Sequence, residues 1–143
     1  VVDHETGDLR AGPRGPDGRI RDAVALFADL DYKPGPRPQA PGEPLANTTL
    51  GVVATSLALD RGQAGRLAAV AHDGLALAVR PCHTLHDGDA VFALSTRNVD
   101  APDEVARLYA LAPAVMAAAI VNAVRAAASL HGIPSYAEVR GEE

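Results

Sequence analysis

Residues 33–44 carry five prolines and two glycines. Proline fixes φ and removes a backbone donor, so neither a helix nor a central strand passes through that stretch. It divides the chain into two unlike parts. Before it, residues 3–22 are rich in Gly, Pro, Asp and Arg and read as exposed turns, with Asp17-Gly18 a tight one. Asp22 to Leu30 has apolar residues at helical spacing, which predicts a short helix. After it comes Asn47-Thr48-Thr49-Leu50-Gly51-Val52-Val53-Ala54-Thr55, polar at its start and then β-branched and apolar. That composition predicts a buried strand over Thr49 to Thr55.

The second part continues as an alternation of helix and strand. Asp60 suits a helix N-cap, with Gln63 three residues on as its reciprocal partner. In the helix that follows, Leu67, Val70, Ala71, Gly74, Leu75 and Ala78 share one face, and Arg80-Pro81 ends it. Ala90 to Thr96 reads as a second strand. A short helix is expected over 100–110, started by Asp100 and Pro102, and Pro113 kinks or restarts the chain. Ala114 to Leu130 then reads as a long Ala-rich helix closed by Gly132 and Pro134. It approaches the ~20 residues of a bilayer span, but Asn122, Arg125 and Ser129 interrupt it, so packing against a sheet is expected and no membrane role. The order strand–helix–strand–helix points to the α/β class, with helices covering a sheet.

Composition narrows the function. Thirteen Lys and Arg against eighteen Asp and Glu give a net charge of −5, with no basic cluster, which argues against a nucleic-acid binder. Cys82 is the only cysteine; it forms no internal disulfide and supports no cysteine-based zinc site. No spaced ligand set accompanies His72 and His83, so packing is expected for the first and a turn hydrogen bond for the second; no cofactor or metal is expected. With no tryptophan and few aromatics, the core must be built from Ala, Val and Leu, which lets backbones approach closely.

Two places carry candidate chemistry. A threonine between a polar stretch and a strand becomes a chain N-terminus if the bond before it is cut. Its hydroxyl is then a nucleophile and its own amine a base. Thr48 and Thr49 both qualify. Asp87-Gly88-Asp89 stands before the second strand, and its two carboxylates project the same way if that stretch is extended. Taken alone, Thr48 reads as a strand-entry residue and Asp-Gly as an ordinary turn.

Together, four motifs in order change that reading: Asn47-Thr48-Thr49, Ala71-His72-Asp73-Gly74, Arg80-Pro81-Cys82-His83-Thr84 and Asp87-Gly88-Asp89. With Asp3-His4-Glu5-Thr6-Gly7 upstream, the chain resembles the P1-family peptidases, the self-processing L-aminopeptidase D-amidase/esterase family. The likeness is nearest to its nylon-oligomer (6-aminohexanoate-oligomer) hydrolase branch. The resemblance implies a four-layer α/β/β/α sandwich of N-terminal-nucleophile-hydrolase type, incomplete without a segment upstream of this sequence. It implies cleavage between Asn47 and Thr48. Residues 1–47 would then be the tail of a larger subunit, and 48–143 a small subunit bearing the nucleophile. Thr48 would be that nucleophile, Asp89 would contact it and Asp87 would support Asp89. The family's oxyanion-stabilising Asn and catalytic Lys would come from the upstream segment; Lys33, the only lysine here, does not match.

Hydrolysis of a peptide or peptide-like amide, or of linear ω-amino-acid oligomers, is the implied reaction. The implied partners are the upstream segment of the same precursor and further copies, in a homo-oligomer of processed heterodimers. A cytoplasmic location goes with this. Two departures, Thr55-Ser56 after the strand and Arg97-Asn98, touch the edge of the site. Two other readings stay open: acyl transfer of the ornithine acetyltransferase type, whose junction usually reads Ala-Thr, and a non-catalytic interaction module.

Overall fold

A computed structural model describes residues 1–33, 48–85 and 87–141. Its centre is a β–α–β unit: strand β1 (Leu50–Leu57), helix α2 (Arg61–Ala78) and strand β2 (Ala90–Val99). The strands pair in parallel from Leu50↔Ala90 to Thr55↔Ser95, then shift register to Leu57↔Val99. The slip coincides with a left-handed backbone at Arg97, φ 60°. The architecture is mixed α/β, as the alternation predicts.

Local chemistry sets the ends of α2. Asp60 accepts from the Gln63 amide at 2.7 Å, and the Gln63 side chain accepts from the Asp60 amide at 2.9 Å. This is the reciprocal cap read from the sequence. The predicted face is the buried one, with Leu67, Ala71, Gly74, Leu75 and Ala78 inside. Upstream, helix α1 (Ala23–Ala28) is capped by Asp22, which accepts from the Val24 amide at 2.9 Å. Gly18 turns the chain at φ 75°, between the bridged residues Arg14 and Ile20.

The third helix departs from expectation. Pro102–Glu104 form a 3-10 turn that runs into one continuous helix, α3 (Val105–Ala126), with Pro113 inside it. Pro113 withholds one intrahelical donor. Packing on α2 outweighs that loss, because Ala112, Met116 and Ala117 around it are all buried. Upstream, the Tyr109 hydroxyl donates to the Gln63 carbonyl at 3.0 Å. Asp100 provides no cap; Ala101 holds that position without a side-chain bond. Nor does α3 reach Leu130. It stops at Ala126, and Gly132 instead serves a tight turn bridging Leu130 and Ile133, with His131 and Gly132 both at positive φ.

A short helix, α4 (Tyr136–Arg140), follows. Its signal is Ser135, which accepts from the Glu138 amide at 3.1 Å, rather than any apolar period. The Tyr136 hydroxyl accepts from Arg10 at 2.7 Å, tying this end to the N-terminal segment. The core lies between the inner sheet face, α2 and α3, around Leu59, Leu67, Ala71, Ala112 and Met116. At Gly74 the two helices approach so closely that a methyl group would lie 2.5 Å from the Pro113 carbonyl oxygen.

Pro102–Ala126, 25 residues, is among the described residues the one stretch long and apolar enough to cross a membrane, with an 18-residue window of mean hydropathy 1.6. It packs along α2. The outer sheet face is unlike the inner one. Leu50, Val52, Phe92 and Leu94 are 71%, 60%, 59% and 58% exposed on it. Parallel sheets are ordinarily covered on both faces, and an apolar patch of this kind marks a contact surface.

Candidate active site

Parallel pairing builds the site. With Leu50 opposite Ala90, the residues just before each strand come side by side at one edge of the sheet. Thr48 and Thr49 lead into β1, while Asp87 and Asp89 end the loop from α2 into β2. Residues about forty apart in sequence thereby share one cleft. Its volume is about 260 Å³, and Val79, Pro81 and Cys82 line it together with the threonines and aspartates.

The hydrogen bonds are specific. Asp89 Oδ1 accepts from the Thr49 backbone amide at 2.8 Å. The Ala90 amide donates to the Thr49 carbonyl at 3.0 Å, so Thr49 is held at both its N–H and its C=O. Asp87 Oδ2 accepts from the Thr84 amide at 2.6 Å and closes the loop on itself. The expected Asp89 contact with Thr48 therefore falls one residue further on, at the amide joining Thr48 to Thr49. A side-chain carboxylate reaches a backbone N–H at the strand entry more readily than an exposed hydroxyl. Thr48 itself is exposed and opens onto the cleft.

Burial pushes the Cys82 thiol above its ordinary pKa, and the negative charges of Asp89 and Asp87 push it the same way. Cys82 thus lines the cleft with a thiol whose reactive thiolate form is disfavoured. His72, on α2, approaches the Asp89 carbonyl oxygen at 3.4 Å through Nε2, and its ring stacks on that of His83. Surface packing for His72 and a turn hydrogen bond for His83 were the simplest sequence expectations; the two rings instead meet each other over the loop. Spacing along the chain carries no sign of this, because His83 sits beyond the helix end in a left-handed backbone, φ 55°.

Among the described residues, no group of three or more His, Cys, Asp or Glu side chains is arranged to hold a metal. Asn47 lies outside the described residues, as does most of the proline-rich stretch. Lys33 is exposed at the end of the first described segment.

Comparison with known proteins fits these residues into one family. The model of peptidase family S58 matches residues 16–137, a span that includes Thr48, Asp87 and Asp89. An uncharacterized aminopeptidase of Mycobacterium bovis is 40% identical over an alignment of 106 residues, covering 65% of this chain and 31% of that protein. One of Mycobacterium tuberculosis gives the same figures. One of Mycobacterium leprae is 43% identical over 103 residues, covering 63% of this chain and 28% of that protein. The chain thus spans under a third of the length of the curated relatives it matches. The expected kinship with peptidases stands at the level of the family: this chain belongs to peptidase family S58.

Proposed function

We propose that this chain carries the nucleophile of a self-processing N-terminal-threonine amide hydrolase, with Thr48 as nucleophile and Asp87 and Asp89 as the groups that orient it. The observation that carries the reading is the Asp89–Thr49 hydrogen bond, which anchors the peptide unit next to Thr48 at a cleft edge. Family membership and the word aminopeptidase in the relatives' names support an amide substrate.

The chemistry has two stages. First the Thr48 hydroxyl adds to the Asn47 carbonyl and the Asn47–Thr48 C–N bond breaks. The Thr48 nitrogen leaves as an amine carrying the hydroxyl's proton, and the acyl group rests on Thr48 Oγ as an ester. Water hydrolyses the ester, giving an Asn47 carboxylate and a free Thr48 hydroxyl. A free α-amine has a pKa of about 7.7–8.0, which suits a general base near neutrality. In the second stage that amine takes the hydroxyl proton as Oγ attacks a substrate amide. The leaving amine departs protonated, and water clears the acyl-enzyme.

Fixed donors for the oxyanion are usually a large part of such catalysis. The Thr49 amide is the nearest backbone donor after the nucleophile, and Asp89 already engages it. The donors must then come from elsewhere, which agrees with an upstream Asn and Lys supplied by the same precursor. The exposed Leu50, Val52, Phe92 and Leu94 face supports the same conclusion. A second sheet from the upstream segment would cover it and complete the four-layer sandwich. Processed heterodimers would then assemble further into a homo-oligomer.

The substrate is tested by incubating the processed full-length protein with an amino-acid p-nitroanilide and with a linear 6-aminohexanoate oligomer. Release of nitroaniline supports aminopeptidase action, and shortening of the oligomer supports the ω-amino-acid branch. A processed protein inert to every amide offered, but transferring an acetyl group between amines, would replace the hydrolase with an acyltransferase.

A further inference from the structure

One side chain of α2 touches the aspartate-bearing loop on both sides of Asp87. The His72 ring stacks on His83, with centroids 4.6 Å apart and planes 25° from parallel. Its Nε2 lies 3.4 Å from the carbonyl oxygen of Asp89. A carbonyl only accepts, so this contact requires hydrogen on Nε2. His72 is well placed to act as a fixed point. The preceding residue, Ala71, is fully buried, and the helix is anchored at its start by the Asp60–Gln63 cap.

Asp89 is consequently held twice. Its backbone carbonyl faces His72, and its carboxylate grips the Thr49 amide. A line of contacts runs from the helix, through the loop, to the strand entry that bears Thr48. We propose that His72 is a positioning residue that sets the placement of Asp89 against the Thr48–Thr49 peptide unit, with His83 locking the ring in its working orientation. This rests on the reading of Thr48 as the nucleophile, although the placement of Asp89 can be measured without it. The contact is long for a hydrogen bond. The expected effect is therefore in the lower part of the range for one neutral bond, roughly two- to fivefold in rate.

The test uses the full-length protein with two substitutions that separate the contacts. His72→Phe keeps an aromatic ring over His83 and deletes the donor. His72→Gln keeps an N–H donor and deletes the stacked ring. Two readouts are taken, the first-order rate of precursor cleavage by intact mass and the rate of Cys82 alkylation by iodoacetamide. The thiol reports on the Asp89 charge beside it whether or not the precursor cleaves.

The expected result is about two- to fivefold slower cleavage and faster alkylation in His72→Phe, with both rates moved back toward wild type in His72→Gln and closely similar melting temperatures. Wild-type rates for both readouts in His72→Phe would overturn the proposal. So would equal losses in the two variants accompanied by a common drop in melting temperature, since that pattern is simple packing. A wild type that never cleaves overturns the Thr48 reading instead, and the alkylation rates then decide alone whether His72 places Asp89.

Discussion

The Asp89 carboxylate accepts a hydrogen bond from the Thr49 amide across forty residues of sequence, at 2.8 Å. The bond exists because β1 and β2 run parallel and start level, so that their N-terminal approaches are neighbours. It fixes the peptide unit that joins Thr49 to the candidate nucleophile.

Removing that acceptor is expected to slow self-cleavage at Thr48. A hydrogen bond to a charged acceptor contributes about 1.5–3 kcal/mol, so Asp89→Ala should lose at least about tenfold in processing rate. Asp89→Asn keeps an oxygen acceptor without the charge and should fall between Asp89→Ala and the wild type. Mass spectrometry of timed samples reads both. If the carboxylate only tidies the strand entry, both variants will process at the wild-type rate.

The same carboxylates should be visible through Cys82. Burial, then Asp89 and Asp87, hold the thiol pKa above its ordinary value. The thiolate is the reactive form, so at pH 7.5 alkylation should be slower than for an exposed cysteine. The midpoint of the pH–rate profile should be displaced upward. Asp89→Asn removes one of the opposing charges, so the midpoint should move down and the rate at pH 7.5 rise by about two- to fivefold. A profile unchanged by Asp89→Asn would mean that the two groups are not neighbours in solution.

Two glycines offer a contrasting test of packing. A methyl at Gly74 would meet the Pro113 carbonyl oxygen at 2.5 Å and Met116 Cβ at 2.6 Å. Neither atom can yield without moving α3. At Gly51 the nearest atom is Met116 Cε at 2.9 Å, the far end of a flexible side chain. Gly74→Ala should therefore cost at least about 2–3 kcal/mol, while Gly51→Ala should cost less than about 1 kcal/mol. Urea unfolding of the two variants against wild type measures the difference.

What was legible in the sequence follows the range of the forces involved. The Asp60–Gln63 cap rests on contacts within three residues, and the buried face of α2 and the two strands show in local periodicity and residue type, although their partners lie far along the chain. Pro113 shows the limit. Its local preference argues for a break, but the buried Ala112, Met116 and Ala117 hold α3 through it against α2, and that energy lies in another helix. The cleft was half legible. The spacing of Thr48, Asp87 and Asp89 marks candidates, but only the parallel register decides that Asp89 meets the Thr49 amide. His72 sits within a motif of the sequence, yet its contacts depend on where the loop after α2 folds back. The apolar pattern of β1 and β2 predicts burial, while among the described residues one face, with Leu50, Val52, Phe92 and Leu94, is exposed.

The central claim, that Thr48 is a self-processing nucleophile, is tested most directly by intact-mass analysis of the full-length gene product beside its Thr48→Ala variant. The wild type is expected to give two chains, one ending at Asn47 and one beginning at Thr48, and the variant a single uncut chain. A folded, soluble wild type that stays in one piece would contradict it, as would a Thr48→Ala protein that is still cut at the same bond.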